Sequence, residues 1–257
     1  MRVICCQFDI AWEDKAANCA RVRALLEAHG PPPGSLVLLP ETFATGFSMN
    51  IPGIAEPPGG PTSAFLAETA FRLRCYVIGG LVTACRGGKG LNEAAAFSPA
   101  GQEIARCAKM HPFTFAGEDK HYESGRVPAL FDCGEFRAAV FICYDLRFPE
   151  VFRRAVQAGA QLLVILANWP RQRHDHWLAL LKARAIENQA CVAGVNRTGR
   201  DPSNEYAGGS IVLDPQGAVL AQAGEDDCAI GAELNLGSLL EYRRRMPFLS
   251  DIRTDLS

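Results

Sequence analysis

The sequence predicts an α/β domain with mixed β-sheets whose outer faces are covered by helices. Predicted strands and helices alternate along all 257 residues, with no linker and no break in composition, which is the pattern of an α/β fold. Two short hairpins, near residues 97–104 and 213–220, require some antiparallel pairing, so the sheets are expected to be mixed. We expect one domain over residues 1–257, with a polar tail from about residue 246.

Apolar runs predict the strands of the first half of the chain. These strands are expected at residues 3–8, 35–39, 76–82, 93–97, 103–108, 129–131 and 136–142. Helical spacing of apolar residues predicts helices at 15–28 and 63–74, and Gly30 with the prolines after it ends the first of them. Residues 42–61 are rich in Gly and Pro and are expected to form a loop, and residues 109–125 an irregular stretch.

The second half continues the same alternation. Strands are expected at residues 162–167, 190–196, 206–213, 219–223 and 229–234. Helices are expected at residues 151–158, 176–188 and 236–245. Pro149 suits the first turn of the first of these helices, because the N–H it lacks would have no partner there.

Composition excludes several classes of protein. The net charge of −2, without a basic block, argues against a nucleic-acid partner, and no apolar run is long enough for a membrane span. Asp9 and Glu13 come too early for a signal peptide, so a cytoplasmic protein with reduced thiols is expected. The ten cysteines lack zinc or redox spacing. His174 and His176 are a weak ligand pair, so we predict neither a metal nor a cofactor.

Three predicted strands end at a residue that can carry chemistry. Glu41, Lys109 and Cys143 each follow an apolar run, and ligands bind at strand ends in open α/β sheets. Cys143 is expected at a strand-to-helix junction, where free backbone N–H groups would lower the pKa of its thiol. The alternative is an inert thiol in the core.

A cysteine nucleophile also needs a base, and no histidine stands in a suitable context. A carboxylate beside an apolar strand can serve instead, since burial raises the pKa of a carboxyl group. A neighbouring lysine can stabilise the oxyanion. The alternative for Glu41 and Lys109, taken singly, is a solvated surface charge.

Three blocks in order resemble the signatures of the nitrilase superfamily of carbon–nitrogen hydrolases. They are LPETF at 39–43, KMH at 109–111 and ICYDLRFPE at 142–150. The segments ANWP at 167–170, RAIENQ at 184–189 and NRTG at 196–199 resemble later blocks of that family. The resemblance implies a four-layer α-β-β-α sandwich with two mixed sheets. It also implies a homodimer formed through helices beside the active site.

The resemblance also implies roles for individual residues. Glu41 would be the general base, and Cys143 would form a thioester. Lys109 and the backbone N–H of Tyr144 would stabilise the oxyanion. The family often has a second active-site glutamate after the lysine. Glu118 matches it best here; Glu123 and Asp119 compete with it, and a plain loop charge is the other reading.

Within the superfamily, block 142–150 resembles the omega-amidase branch, which implies cleavage of the terminal amide of 2-oxo-dicarboxylic acid monoamides such as 2-oxoglutaramate and 2-oxosuccinamate. Arg147 is suited to clamp the substrate carboxylate in a bidentate manner; the alternative is a salt bridge at a helix end. Phe113 and Trp169 are expected to wall the pocket, with Tyr144 packing beside them. Asn168 would orient the substrate or fix its loop.

Other chemistries remain open at this stage. N-carbamoyl amino acid hydrolysis, aliphatic amide or nitrile hydrolysis and N-acyl transfer use the same three groups, so these groups cannot decide among them. A non-enzymatic interaction protein on this scaffold would be expected to have lost one of the three.

Overall fold

Two mixed β-sheets form the centre of the computed structural model, which describes residues 1–253. The strands are Arg2–Gln7 (β1), Leu36–Leu38 (β2), Tyr76–Ala84 (β3), Gly90–Phe97 (β4), Glu103–Ala108 (β5), Tyr122–Glu123 (β6), Ala129–Cys133 (β7), Phe136–Ile142 (β8), Leu162–Ala167 (β9), Cys191–Asn196 (β10), Thr198–Arg200 (β11), Glu205–Ala207 (β12), Ile211–Leu213 (β13), Val219–Gln222 (β14) and Cys228–Glu233 (β15). The α-helices are Lys15–His29 (α1), Ile51–Ile54 (α2), Pro61–Leu73 (α3), Glu118–His121 (α4), Pro149–Gln157 (α5), His174–Asn188 (α6) and Leu236–Arg245 (α7).

The first sheet has the order β15-β1-β2-β3-β4-β5, with β6 paired to β4, and the second has the order β14-β13-β10-β9-β8-β7. In each sheet three neighbouring strands are parallel, namely β1, β2 and β3 in one and β8, β9 and β10 in the other. The flanking strands are antiparallel. The parallel strands bring the ends of β2 and β8 to equivalent edges of the two sheets.

Alternation along β1 shows how the layers are stacked. Val3 and Cys5 belong to the core between the two sheets, whereas Ile4 and Cys6 pack toward α1 and α3. Helices α5 and α6 cover the far face of the second sheet with side chains such as Phe152. The order is therefore helices, sheet, sheet, helices, and the predicted four-layer fold is confirmed.

Two local expectations were wrong, and one turn was not expected. Cys143–Arg147 form a 3₁₀ turn between β8 and α5, whereas α5 begins at Pro149, close to its expected start and with the proline in its first turn. The expected strand at 206–213 is broken, because Gly208 and Gly209 have φ of +63° and +74° and turn the chain between β12 and β13. Residues 42–61 contain the short helix α2, whose proline lies in its first turn.

The predicted tail is only partly described. Residues Phe248–Asp251 form a 3₁₀ turn, whereas residues 254–257 lie outside the described residues. No helix within residues 1–253 is both long and apolar enough to cross a membrane.

Candidate active site

The three strand ends identified in the sequence meet in one buried cluster. Glu41 lies just beyond β2, Lys109 directly follows β5, and Cys143 directly follows β8. The Lys109 Nζ lies 2.9 Å from Oε1 of Glu41, and the exposed fractions of Glu41, Lys109 and Cys143 are 1%, 2% and 9%. All three line one cavity of about 510 Å³. We call these residues the strand-end trio.

Gly80 on β3 allows the segment around Glu41 to lie against the sheet. A Cβ on Gly80 would lie 2.4 Å from the backbone nitrogen of Thr42 and 2.6 Å from Cα of Glu41. The N–H of Gly80 donates to the Pro40 carbonyl at 3.1 Å, and its carbonyl accepts from Phe43 at 3.2 Å. A side chain at position 80 would therefore push the Glu41 backbone away from β3.

Asn168 fixes the Glu41 segment from the second sheet. Its backbone N–H donates to Oε2 of Glu41 at 2.9 Å. Its Nδ2 donates to the Glu41 carbonyl and to Oγ1 of Thr42, both at 2.9 Å. Asn168 was expected either to orient the substrate or to fix its loop, and these bonds support the second role.

Lys109 lies between two carboxylates. Its Nζ is 2.9 Å from Oε2 of Glu118 as well as 2.9 Å from Oε1 of Glu41. Asn92 donates to both glutamates, at 2.8 Å to Glu41 and 3.0 Å to Glu118. Burial alone would lower the pKa of Lys109, but Glu118 and Glu41 outweigh it and hold that pKa well above its usual value. Lys109 is therefore a fixed cation inside the cavity.

The competing acidic residues lie elsewhere. Glu118 is fully buried, and its Oε2 accepts the backbone N–H of Phe113 at 2.5 Å. The side chain of Glu123 is half exposed and pairs with Lys89 at 3.1 Å. Asp119 is exposed. Of the three candidates, the fold brings only Glu118 to the strand-end trio.

The pKa of the Cys143 thiol is shifted in the direction opposite to the one expected from the sequence. Burial, and next the negative charge of Glu41, raise the pKa of the Cys143 thiol well above 9.0, although Lys109 opposes the shift. The expected lowering was wrong, because the thiol is desolvated beside a carboxylate and α5 begins six residues later. Cys143 also has a φ of +47°, a strained conformation for a residue with a side chain. A thiol in this environment stays protonated until a base takes its proton.

Aromatic rings and two arginines form the outer wall of the cavity. The ring of Phe113 lies 4.9 Å from that of Tyr144. The Arg147 guanidinium lies 4.9 Å above the Trp169 ring, and that of Arg173 lies 5.4 Å from the Phe113 ring. All five residues line the cavity that also holds the strand-end trio, so the cavity contains cations that can bind an acid group.

Arg147 does not form the helix-end salt bridge that was its alternative role. Its Nη2 lies 3.3 Å from Nδ1 of His176, and no carboxylate among residues 1–253 lies within salt-bridge distance of it. Its cation is stabilised by the Trp169 ring. Arg147 is therefore available to an anion inside the cavity.

Comparison with known proteins decides the family. The family described as carbon–nitrogen hydrolase matches residues 2–244. The chain belongs to the carbon–nitrogen hydrolase family. The resemblance seen in the sequence blocks is confirmed, and the protein is a hydrolase acting on carbon–nitrogen bonds.

Relatives of this carbon–nitrogen hydrolase match its sequence over almost its whole length. It is 35% identical to a 2-oxoglutaramate amidase of Bacillus subtilis (strain 168), over 99% of this chain and 98% of the relative. It is 34% identical to the omega-amidase YafV of Escherichia coli (strain K12), over 98% and 96%. A crystal structure of a CN-hydrolase superfamily protein from Xanthomonas campestris, with an arsenic adduct in its active site, has a TM-score of 0.92 and 34% identity, over 99% and 97%.

Two residues of the site, Asn92 behind the trio and Arg173 in the cavity wall, were not predicted from the sequence. Asn92 lies inside β4 and reaches both glutamates only because β4 pairs with β5, so no local signal points to it. Arg173 lies three residues after Pro170, within reach of a segment already singled out, but a single arginine there gave no signal. Within residues 1–253 no cluster of three or more His, Cys, Asp or Glu side chains is arranged to hold a metal ion.

Proposed function

We propose that this hydrolase cleaves the terminal amide of small 2-oxo-dicarboxylic acid monoamides, such as 2-oxoglutaramate and 2-oxosuccinamate, to the acid and ammonia. One observation carries the proposal. Arg147, a cation without a carboxylate partner among residues 1–253, lines the same cavity as the strand-end trio. A substrate that has both an amide and a carboxylate matches the two kinds of group, the trio and the arginine, that line this cavity. The names of the relatives support the same substrate class.

The first half of the reaction forms a thioester. Glu41 takes the proton of the Cys143 thiol as the sulfur attacks the amide carbon. Nζ of Lys109 and the backbone N–H of Tyr144 donate to the oxyanion that forms. The intermediate collapses when the carbon–nitrogen bond breaks and Glu41 returns its proton to the nitrogen, so that ammonia leaves and the acyl group stays on sulfur.

The second half hydrolyses the thioester. Glu41 takes a proton from a water molecule, whose oxygen attacks the thioester carbon. The same two donors hold the second oxyanion. The carbon–sulfur bond then breaks, Cys143 regains a proton from Glu41, and the carboxylic acid is released. The raised pKa of Cys143 suits this step, because the sulfur ends as a neutral thiol.

Glu118 acts through Lys109 in this scheme. Its two oxygens lie 2.9 and 3.2 Å from Nζ of Lys109, so it fixes the ammonium against the cavity wall. At the other end, Arg147 binds the substrate carboxylate, while Phe113, Tyr144 and Trp169 enclose the short carbon chain between the two ends.

The test is ammonia release from a panel of substrates. We expect the highest kcat/KM with 2-oxoglutaramate, compared with glutamine, an aliphatic nitrile and an N-carbamoyl amino acid. Cys143→Ala should abolish turnover, whereas Cys19→Ala, on α1 and outside the cavity, should retain it. A preference for one of the other three substrates would overturn the substrate assignment, and full activity of Cys143→Ala would overturn the mechanism.

Three broader points belong to the same proposal. The chain forms one catalytic domain, supported by a continuous hydrophobic core between the sheets. It forms a homodimer through helices beside the site, and this is supported by an exposed apolar side chain on α6, since Ile186 is 46% exposed. It resides in the cytoplasm, which suits its ten free thiols. Light scattering tests the dimer, and cell fractionation tests the location.

A further inference from the structure

Arg173 is a second cation that faces the cavity. We propose that Arg173 is a specificity-determining residue that, together with Arg147, binds the carboxylate end of the substrate and selects anionic over neutral amides. This inference rests on the proposed amidase function and adds to it a residue and a basis for selectivity.

A single tryptophan positions both arginines. The Trp169 ring lies 4.9 Å from the Arg147 guanidinium, and its Nε1–H donates to the backbone carbonyl of Arg173 at 2.7 Å. Phe113 supports the Arg173 guanidinium from the other side, at 5.4 Å. An aromatic ring beside a guanidinium stabilises the cation, and the N–H groups, which lie in the guanidinium plane, stay free to bind a planar anion.

The charges around the cavity leave both arginines uncompensated. The acidic side chains that line it are Glu41 and Asp201. Glu41 is paired with Lys109. Asp201 accepts the backbone N–H groups of Ser203 and Asn204, both at 2.7 Å, and the hydroxyl of Tyr206. Among residues 1–253, no carboxylate lies within salt-bridge distance of Arg173.

The neighbouring arginine of the same 3₁₀ turn behaves differently. Arg171 points away from the cavity and pairs with Glu225 at 2.5 Å on the exposed surface. The two arginines of the turn Arg171–Arg173 therefore differ. Arg171 has an acidic partner on the surface, whereas Arg173 lines the cavity without one. This contrast separates a role in the cavity from a general contribution of positive charge, and it provides a matched control.

The experiment compares Arg173→Gln with Arg171→Gln on two amides of equal chain length, 2-oxoglutaramate and pentanamide. Loss of a charged hydrogen bond to the substrate should lower kcat/KM of Arg173→Gln for 2-oxoglutaramate by about tenfold or more, through KM. Its kcat/KM for pentanamide should stay within about twofold. Arg173→Lys should recover part of the loss, and Arg171→Gln should match the wild type.

Equal losses on both amides, or no loss on 2-oxoglutaramate, would overturn the role of Arg173. A second measurement does not depend on turnover. In a Cys143→Ala background, calorimetry should show that 2-oxoglutarate binds about tenfold more weakly when Arg173 is replaced by Gln. If the wild type fails to cleave 2-oxoglutaramate but this binding difference is found, the proposed substrate fails, whereas carboxylate binding by Arg173 stands. Equal binding would overturn the inference even if the amidase activity is found.

Discussion

Asp145 and His111 join the two sheet ends that carry Cys143 and Lys109. Oδ1 of Asp145 lies 2.8 Å from Nδ1 of His111 and accepts the backbone N–H of His111 at 2.9 Å. Its Oδ2 accepts the backbone N–H of Ile142 at 3.1 Å. His111 follows Lys109 by two residues, and Ile142 precedes Cys143. One buried carboxylate therefore sets the separation between the proposed nucleophile and the proposed oxyanion donor.

Asp145→Asn should impair both stability and turnover. The amide NH₂ would face backbone donors that now point to a carboxylate, and each lost charged hydrogen bond is worth about 1.5–3 kcal/mol. We expect a loss of unfolding free energy of about 2–4 kcal/mol and a kcat lower by about tenfold or more. Asp132→Asn is the control, because the Asp132 side chain is 79% exposed. Equal denaturation midpoints and equal kcat for the two variants would contradict the role of Asp145.

Glu118→Gln should reduce turnover while leaving the fold intact. The amide keeps the shape of the side chain but removes one of the two negative charges that hold Lys109. We expect kcat to fall by about 10²-fold, because Lys109 is then less precisely fixed. Glu123→Gln, which affects only the exposed pair with Lys89, should keep wild-type kcat. If Glu123→Gln were the inactive variant and Glu118→Gln the active one, the assignment of the second glutamate would be reversed.

The sequence predicts most of the strands, because a buried strand has a run of apolar residues. It therefore also predicts the strand ends that carry the trio. The run that ends at Ile142 and the polar residues after it locate Cys143 correctly. Order and spacing of the three blocks also indicate the family, which the comparisons confirm. The fold class follows from the same local patterns, since alternation of elements specifies an α/β arrangement.

The remaining features depend on contacts between distant segments. The 3₁₀ turn after Cys143 is held by Asp145, whose partners include His111 from another strand end. The raised pKa of Cys143 comes from burial and from Glu41, which the fold brings from the other sheet. Local patterns contain neither contact, so both the turn and the direction of the pKa shift were missed.

Buried thiols should make the protein less stable in alkaline solution. Burial raises the pKa of Cys133 from 9.0 to about 12, so above pH 9 the unfolded chain loses this proton and the folded protein keeps it. The contribution of the Cys133 thiol to the free energy of unfolding is therefore complete below pH 9. It is lost as pH rises toward 12, by up to about 1.4 kcal/mol per pH unit. Urea unfolding at several alkaline pH values should give a shallower decline for Cys133→Ala. Parallel declines for wild type and variant would contradict this linkage.

Glu41→Gln should increase the thiolate fraction of Cys143 but decrease turnover. Burial is the main cause of the high pKa of Cys143, and the charge of Glu41 is the next, so the neutral amide should lower that pKa and increase the thiolate fraction. Turnover should nevertheless fall by about 10²–10⁴-fold, because the general base is missing. Ultraviolet thiolate absorbance against pH, corrected with Cys143→Ala and with the Cys143→Ala/Glu41→Gln double variant, measures the first effect, and ammonia release measures the second. A Cys143 pKa that rises in Glu41→Gln would show that Glu41 does not repel the thiolate. Turnover that persists would show that Glu41 is not the general base.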